Sequence, residues 1–592
     1  MNQELNFEIA QGSVFGSSIE LQGVSKENVK ILLDGVPVIG RLNGIIDLGQ
    51  INLANVERIE IIEGPTSVFY GTDAMGGIIN IISKKNQSRK LSGNLALYYE
   101  SINAVEMSGK LGLKVRENTF QLSGGNYSFG GLSTQDNRRN LNWEKKNQSN
   151  VNFLFRRNFK KLIFSYNARF FREKLQSLGE RNKPILQDKD YYTRRINNSL
   201  NLQGKISKEL FLQMNLAYLD YQRYHNTFDV DSSSLNVRPA ANDNGSDNRV
   251  KFKFGEFRSQ IGRSNPLKSI NYAFGIDLVY ESTTGERILD SEQSIQTYAG
   301  FGSVNYKIGK RIELQPALRY TFNNVYGFLL SPAFNTKIRV GENSTFRFSY
   351  ARGFRAPSLK ELFLDFRISK GPFTFIIMGN ENLEVETSHS FNLHFSHRIK
   401  LHERGSIRIE PSAFYNDITN LIALSELQDF KRHYINLNKF KSIGGKINVS
   451  YEHKGTFRMG AGVAIVGRYN RYSEVEKKEV YLYSPEFSST IEYRIKKIGL
   501  DLFLQYKYTG KRPGFYVDVK TKELVETIRE DYHNMDFSIS KVFWKERLNV
   551  SAGVKNIFDV TDIETINQVG EAHARDMQLW GRSLFLKTLI KL

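Results

Sequence analysis

The chain has 592 residues, of which 40% are hydrophobic, 24% are charged and only 12 are proline, which argues against a disordered protein. It has no cysteine, which excludes disulfides, thiolate metal sites and cysteine nucleophiles. The formal net charge is +20, but the basic residues are scattered in pairs without a helical stripe. Contact with anionic lipid or lipopolysaccharide explains this charge at least as well as nucleic-acid binding, and we expect no nucleic-acid partner.

Helical membrane signals are missing from the sequence. No stretch of about 18 apolar residues occurs, so we expect no transmembrane helix. The first residues, MNQELNFEIAQG, lack the basic and apolar regions of a secretory signal. Either the protein is not exported or this numbering begins after the signal.

The first 85 residues are rich in turn signals. Residues 56–83, VERIEIIEGPTSVFYGTDAMGGIINIIS, read as strand, turn, small-residue segment and strand. Asp34 and Gly35 predict a tight hairpin turn, and Gly64 with Pro65 is expected to end a strand. Three further glycines allow close packing or positive φ, namely Gly71, Gly76 and Gly77. A small α/β domain whose glycines only make turns also fits these residues.

From about Leu91 onward the sequence repeats segments of about ten residues in which apolar and polar residues alternate. In residues 271–281, NYAFGIDLVYE, the side chains of Phe274, Ile276 and Leu278 lie on one side and that of Asp277 on the other. A period of two predicts β-strands.

Alternation alone does not separate a membrane barrel from a large soluble all-β protein. Three features favour the barrel: strands long enough to cross a bilayer, Tyr or Phe at many strand ends, and charges on the polar faces. Short connections also contrast with long polar ones. About 500 residues follow the first segment, and roughly 23 residues per strand and connection give about 22 strands, enough to enclose a plug.

Motifs in fixed order carry a family resemblance. Residues 16–24 (GSSIELQGV), 28–38 (NVKILLDGVPV) and 56–83 resemble the plug of TonB-dependent outer-membrane receptors. Residues 350–363 (YARGFRAPSLKELF) and 379–395 (GNENLEVETSHSFNLHF) resemble the middle of their barrel. Residues 553–562 (GVKNIFDVTD) and 581–592 (GRSLFLKTLIKL) resemble its last strands, although the chain ends in Leu592 where family members usually end in Phe.

The resemblance implies a membrane all-β fold in the bacterial outer membrane. An N-terminally incomplete α/β plug, residues 1–85, would sit inside a 22-stranded antiparallel transmembrane β-barrel, residues 86–592. The implied function is uptake of a scarce nutrient, driven by the TonB–ExbB–ExbD complex, and not an enzyme activity. Ferric siderophore is expected ahead of haem or cobalamin. Because no TonB box is seen, a non-transporting surface-binding or structural barrel remains an alternative.

Charged plug residues are expected to form a latch with the barrel wall. In the receptors that the chain resembles, plug charges pair with charges on the inner wall, and Glu386 matches a barrel glutamate in that role. We therefore predict that Arg58 meets Glu386 or a neighbouring carboxylate, with Glu60 and Glu63 on the same plug strand. The alternative is that these are solvated lumen charges.

Two candidate metal sites follow from the sequence. Residues 354–357 (FRAP) and 380–383 (NENL) resemble the paired boxes of haem receptors, but no histidine lies between them, so His389 is the candidate iron ligand. An oxygen-rich loop could bind calcium through Asp229, Asp231, Asp243 and Asp247. Ordinary strand histidines and turn aspartates are the alternatives.

Aromatic and basic residues in loops could bind an anionic metal chelate containing iron or cobalt. The candidates are Tyr221, Arg223, Tyr224, His225, Arg367, Lys370, Phe373 and Phe375. Each is also a plausible girdle or lipopolysaccharide contact. No resident cofactor is expected, and a surface lipoprotein is a further candidate partner.

Overall fold

The computed structural model describes residues 4–592 apart from 12–16, 41–45, 65, 86, 134–138, 140, 180–183, 241–248, 371–372, 402–404, 426–428, 470–480, 518–523, 564 and 567–576. Pro65, Asp243 and Asp247 therefore lie outside the described residues, as do the side chains of Lys370 and Phe373.

The N-terminal part forms two small sheets. The first is antiparallel and contains β1 (Phe7–Gln11), β2 (Ser17–Leu21) and β3 (Val24–Ser25). The second has the order β5-β4-β7-β6 and contains β4 (Val29–Leu33), β5 (Val36–Pro37), β6 (Val56–Glu63) and β7 (Gly77–Ser83), with β4 and β7 parallel. Short 3₁₀ helices span Lys26–Asn28 and Leu48–Gln50, and helix α1 spans Ser67–Tyr70. Both sheets contribute to one apolar core that includes Phe7, Leu21, Val29, Ile79 and Ile81.

The rest of the described chain forms a closed antiparallel barrel. Its 22 wall strands are β8 (Leu91–Glu100), β9 (Ala104–Val115), β10 (Asn118–Phe129), β11 (Lys145–Asn158), β12 (Leu162–Ser177), β13 (Ile185–Lys205), β14 (Leu210–Asp231), β16 (Val250–Arg263), β17 (Ile270–Thr284), β18 (Glu292–Ile308), β19 (Ile312–Asn323), β20 (Gly327–Val340), β21 (Ser344–Arg355), β24 (Glu386–Leu401), β25 (Gly405–Leu424), β26 (Lys431–His453), β27 (Phe457–Tyr469), β28 (Leu482–Ile495), β29 (Leu500–Thr509), β32 (Tyr532–Phe543), β33 (Leu548–Lys555) and β37 (Ser583–Lys591). The last strand, β37, pairs with β8 and closes the wall.

Eight short strands and one helix lie in the connections between the wall strands. They are β15 (Val237–Pro239), α2 (Leu359–Phe363), β22 (Asp365–Lys370), β23 (Phe373–Met378), β30 (Arg512–Val517), β31 (Leu524–Arg529), β34 (Asp562–Ile563), β35 (Thr565–Ile566) and β36 (Met577–Gln578). All of them lie in connections at one end of the barrel, which we call the long-loop end. The opposite, short-turn end has connections such as residues 309–311 and 341–343. Among the described residues, no helix is long and apolar enough to cross a membrane.

The apolar side of the wall strands faces outward. On β17, Phe274, Ile276 and Tyr280 are 52%, 48% and 44% exposed, whereas Asp277 between them is 3% exposed. A soluble sandwich would bury the apolar side. Since the barrel instead exposes an apolar outer face and encloses a polar lumen, the predicted transmembrane barrel is confirmed.

The N-terminal domain lies inside this lumen as a plug. Val68 of α1 packs against three alanines of neighbouring strands, Ala317, Ala333 and Ala351. On another part of the wall, Val36 packs against Leu219 and Phe254, among others. At α1, the small alanine side chains of the wall let the plug approach closely.

The plug turns have the backbone conformations that their residues favour. Asp34 and Gly35 have φ of 55° and 84° between β4 and β5, as a two-residue hairpin of the primed type requires. Gly64 and Gly71 also have positive φ, while Gly76 does not. Gly77 has φ 136°, and a Cβ there would lie 2.4 Å from the Ile62 carbonyl oxygen.

Replacing Gly77 with alanine should destabilise the plug by about 1–3 kcal/mol, because the backbone conformation and the space beside Ile62 both reject a side chain. The measurement is the protease sensitivity of the plug in the purified protein. Gly255→Ala is the matched control, because nothing lies within 4 Å of a Cβ at Gly255. Equal protease resistance of the two variants would contradict this account.

Candidate functional site

The hairpin turn of the plug also binds the barrel. The Asp34 carboxylate is buried, accepts hydrogen bonds from Ser83 N (3.0 Å) and Ser83 Oγ (2.7 Å), and pairs with Lys85 (3.1 Å) and with Arg169 of the wall. Burial alone would raise the pKa of Asp34, but Arg169 and Lys85 outweigh burial and hold it below the usual value. Asp34 therefore has a role beyond the predicted turn: it binds the plug to the wall.

A second contact joins the N-terminal sheet to three arginines of the barrel. Glu8 pairs with Arg512 (2.9 Å) and Arg529 (2.6 Å), while Glu20 pairs with Arg468 and Arg512. Burial alone would raise the pKa of Glu20, but the guanidinium groups of Arg468 and Arg512 lower it to about 2. Buried Glu20 and half-buried Glu8 are thus compensated by Arg468 of the wall and by two arginines of the β30–β31 hairpin at the long-loop end.

The C-terminal end of α1 is held by cations. The Lys30 Nζ donates to the carbonyl oxygens of Tyr70 (2.7 Å) and Thr72 (3.2 Å), and Arg258 of the wall donates to that of Phe69. Positive charge at a helix C-terminus satisfies carbonyls that lack an intrahelical partner. This contact fixes the plug segment that follows β6.

The predicted contact between Arg58 and Glu386 is wrong. Arg58 is exposed and pairs with Glu60 (2.7 Å) and Glu57 (3.4 Å) of its own strand. The reason is the alternation of side chains along β6. Ile59 and Ile61 pack toward the plug core, so Arg58 and Glu60 point to the opposite side of the strand. Of the three predicted plug charges, Glu63 reaches the wall, where it pairs with Lys446.

Glu386 instead belongs to a buried cluster of the barrel. The Arg355 guanidinium donates to both oxygens of Glu361 (3.0 and 3.1 Å) and to Glu386 (2.5 Å), which also accepts from Ile422 N (2.7 Å). The cluster connects the end of β21, α2 and the start of β24. It therefore joins Arg355 of the first predicted box to Glu386, three residues beyond the second box.

The plug touches the first of these boxes directly. Ala356 N donates to Thr72 Oγ1 (2.9 Å), and Phe354 N donates to Ser67 Oγ (3.4 Å). Ser67 is the first residue of α1 and Thr72 lies just after the helix, so a shift of α1 would break these bonds.

His389 does not face the lumen. On β24, Glu386, Ser388 and Ser390 are buried on the inner side, and His389 lies on the outer face beside the Tyr350 hydroxyl (3.0 Å). Since adjacent strand residues point to opposite faces, the predicted role of His389 as an iron ligand for a haem inside the lumen is corrected.

The described part of the calcium candidate forms a turn. The Asp231 carboxylate accepts hydrogen bonds from Ser233 N (2.9 Å) and Ser234 N (2.8 Å), while Asp229 lies opposite Arg238 of β15. Asp243 and Asp247 lie outside the described residues. Among the described residues, no group of three or more His, Cys, Asp or Glu could hold a metal ion.

The predicted chelate-binding residues do not form one site. Tyr221, Arg223 and His225 lie on the inner side of β14 near the long-loop end, whereas Tyr224 alternates to the outer side and stacks on Tyr192. On the β22–β23 hairpin, Arg367 pairs with Asp365 (2.9 Å) and Phe375 packs edge-on against Phe430. The side chains of Lys370 and Phe373 are outside the described residues.

Two of these residues, Arg223 and His225, lie beside others that the sequence did not indicate. The Arg223 guanidinium lies 4.9 Å from the Tyr191 ring, and the His225 ring lies 5.2 Å from it. Arg287 lies 4.1 Å from the Phe366 ring and is close enough to interact electrostatically with Tyr191 and Lys360. We call the set Tyr191, Arg223, His225, Arg287 and Lys360 the vestibule.

The vestibule lies at the long-loop end above the plug and combines three cations with aromatic rings. Two carboxylates also lie close: Glu144 interacts with Tyr191, and Glu361, which pairs with Arg355, interacts with Lys360. Cations beside aromatic faces attract anionic, partly aromatic ligands. The sequence alone did not place Tyr191 beside His225, because their pairing depends on the register between β13 and β14.

The fold and these contacts define a membrane β-barrel whose lumen is closed by a folded, ion-paired plug. The family model "TonB dependent receptor-like, beta-barrel" matches residues 108–557, and the model "TonB-dependent Receptor Plug Domain" matches residues 3–78. The chain belongs to the TonB-dependent receptor family, as its motifs predicted. This is a family of receptors and transporters rather than of enzymes.

Individual relatives include receptors for iron chelates. A ferric enterobactin receptor of Pseudomonas aeruginosa is 22% identical over 62% of this chain, and the match spans 58% of that receptor's length. The crystal structure of the siderophore receptor PirA from Acinetobacter baumannii has a TM-score of 0.80 at 14% identity, with 99% and 94% of the two chains covered. The FrpB iron transporter from Neisseria meningitidis has a TM-score of 0.76 at 15% identity, covering 100% and 96%.

Acid should release the N-terminal sheet of the plug from the wall. The pKa of Glu20 lies at about 2, below its unfolded value, so its contribution is complete above about pH 4.5 and is lost as pH falls toward 2. The melting temperature of the purified protein should therefore fall over this range, and Glu20→Gln should reduce the slope.

Glu313→Gln is the control for that acid dependence, because Glu313 makes only surface pairs, with Arg339 and Lys337. This variant should keep the wild-type slope. An identical pH dependence in wild type and Glu20→Gln would show that the Glu20 ion pairs do not set it.

Proposed function

We propose that the protein takes up an anionic ferric siderophore across the outer membrane of a Gram-negative bacterium, with the TonB–ExbB–ExbD complex supplying the energy. The observation that carries this proposal is the vestibule, in which Arg223, Arg287 and Lys360 lie with aromatic rings at one end of a plugged lumen. We take the long-loop end as the outside face. Residues 1–85 act as the plug and residues 86–592 as the barrel.

The chemistry of the vestibule supports an anionic chelate. Ferric siderophores of the catecholate kind combine negative charge with aromatic rings, and guanidinium groups beside Tyr191 complement both properties. The receptors with similar folds are named for ferric enterobactin, siderophore and iron transport. Haem is not favoured, because His389 faces outward.

Transport requires the plug to shift. At rest, ion pairs and hydrogen bonds hold it to several parts of the wall, as at Asp34, Glu20 and Glu63 and at the Phe69 carbonyl oxygen. An external energy source that loosens these contacts fits the proposed role of the TonB complex. Lipopolysaccharide as a partner fits the net charge of +20. A non-transporting binding barrel is the alternative, and it predicts chelate binding without uptake.

Arg223→Ala should weaken binding of ferric siderophores by about tenfold, which corresponds to about 1.4 kcal/mol, because it removes a cation beside Tyr191. The assay is fluorescence quenching of the purified protein with a panel that includes ferric enterobactin, haem and cobalamin. Arg494→Ala is the matched control, because Arg494 is an exposed arginine near the short-turn end that pairs with Asp501. Wild-type protein that binds no ferric siderophore, or binds haem better, would refute the proposal.

Binding should also weaken as pH rises through 8. Burial, followed by the charge of Arg287, lowers the pKa of Lys360 to about 8, while Glu361 opposes this shift. Below that pH the ammonium is charged and attracts an anion, and above it the attraction is lost. Titrations between pH 7 and 9 measure the affinity.

Lys360→Arg is the control for this pH dependence, because a guanidinium stays charged throughout the range. It should flatten the affinity profile of the same chelate. A wild-type affinity that is constant from pH 7 to 9 would exclude Lys360 as a ligand-binding cation.

A further inference from the structure

We infer that the chelate leaves the vestibule along a descending series of wall arginines, Arg223, Arg195 and Arg169, and passes through a polar seam between the plug and strands β10–β14. This inference rests on the proposed function and adds the route and its chemistry: a path selective for anions on one side of the plug.

Strand register places the three arginines in a descending row. Arg223 on β14 lies opposite Thr193 of β13, and Arg195 lies two residues farther toward the short-turn end. Another two residues along β13, Asn197 lies opposite Arg169 of β12. Each step therefore descends about 7 Å along the wall.

A cavity of about 90 Å³ separates the plug from this part of the wall. Arg169 and Arg195 both line it, together with wall amides that include Asn152, Asn167 and Asn197. The plug side contributes Gln50, Asn52 and Ser83, among others. The cavity has room for several water molecules. Apolar side chains such as Leu33 and Leu219 complete its lining.

Four buried polar atoms of the cavity wall lack a hydrogen-bond partner among the described residues. They are Gln121 Oε1, Asn197 Oδ1, Arg169 Nη1 and Arg195 Nε. Gln121, Asn197 and Arg195 are 4%, 5% and 9% exposed. Because buried polar groups are normally bonded, four unpartnered atoms around one cavity indicate a site that receives a polar solute.

Tyr221 closes the upper end of the seam. It is fully buried, and a Cβ built on Gly40 of the plug would lie 2.5 Å from its ring, so the plug backbone rests directly on it. Arg195 lies 5.3 Å from the same ring and donates to Ile39 O (3.2 Å) and Gln50 Oε1 (3.1 Å). Withdrawal of the plug would uncover the ring and the guanidinium together.

The arginines therefore have a different partner in each state. At rest Arg195 donates hydrogen bonds to Ile39 O and Gln50 Oε1, and Arg169 forms an ion pair with Asp34. When the plug shifts, these guanidinium groups lose their plug partners and become donors for an anionic solute. The movement that opens the seam thus also creates its binding groups.

At Ser442 on β26 the wall instead touches the plug directly. Ser442 of β26 is fully buried and donates to Gln22 O of the plug (2.9 Å), and a Cβ on Gly23 would lie 3.1 Å from its Cβ. Ser442 is therefore a matched control for Asn197, since both are buried inner-wall residues beside the plug.

Single-cysteine labelling tests the seam directly, because the chain has no native cysteine. Asn197→Cys and Ser442→Cys are reacted, in the purified full-length protein, with anionic sulfonatoethyl methanethiosulfonate and its cationic trimethylammonium analogue. We expect Asn197→Cys to react at least about tenfold faster than Ser442→Cys, and to favour the anionic reagent. Equal rates at the two positions, or a preference for the cation, would overturn the inference.

A second variant assigns the charge preference to the row of arginines. Arg195→Gln in the Asn197→Cys background should reduce the ratio of anionic to cationic labelling rates, and Arg195→Lys should preserve it. An unchanged ratio in Arg195→Gln would overturn the role of Arg195. Unchanged melting temperatures exclude misfolding as the cause, and a variant that melts early is replaced by Arg169→Gln.

Uptake measurements separate this inference from the proposed function. With ⁵⁵Fe-labelled ferric enterobactin, Arg195→Gln should lower the maximal uptake rate while the binding affinity stays at the wild-type value. If wild type neither binds nor takes up a ferric chelate, the proposed function fails, and the labelling ratio still decides whether the seam admits anions. Loss of affinity together with rate would place Arg195 in the binding site and overturn the route.

Discussion

The structure depends on one constraint, which is that a chain crossing hydrocarbon must satisfy its backbone hydrogen bonds internally. Pairing of β37 with β8 meets this constraint by closing the sheet. Because the barrel is closed and apolar and polar residues alternate along each strand, the apolar side chains face lipid and the polar ones face the lumen. The enclosed charges then need partners, and the plug supplies many of them through Asp34, Glu8 and Glu20.

The plug is consequently held to the wall by ion pairs as well as by apolar contacts such as those of Val36 and Val68. Buried ion pairs add little net stability, yet breaking one of them singly is costly. Such an interface is specific at rest and can exchange partners when the plug moves. The Arg169 and Arg195 contacts illustrate this property, because each guanidinium keeps a polar environment with or without the plug.

The sequence predicted the barrel, its strand number and the plug, because these follow from local periodicity and from motifs in a fixed order. It could not predict which charges meet across the lumen. Arg58 and Glu386 lie in suitable motifs, but Arg58 is exposed and pairs with Glu60 of its own strand, and Glu386 pairs with Arg355. The vestibule was found only in part, since Tyr191 and Arg287 join Arg223 through register and loop folding.

The three alanines beneath Val68 have a mechanical consequence. Ala317 pairs with Ala333, and Ala333 with Ala351, so they form a continuous row across β19, β20 and β21. Side chains this short present a nearly smooth strip to α1, without ridges that would catch a withdrawing helix. Resistance to displacement at this strip then comes from the polar bonds at either end of α1, which break over a short distance, and not from steric friction along the whole path.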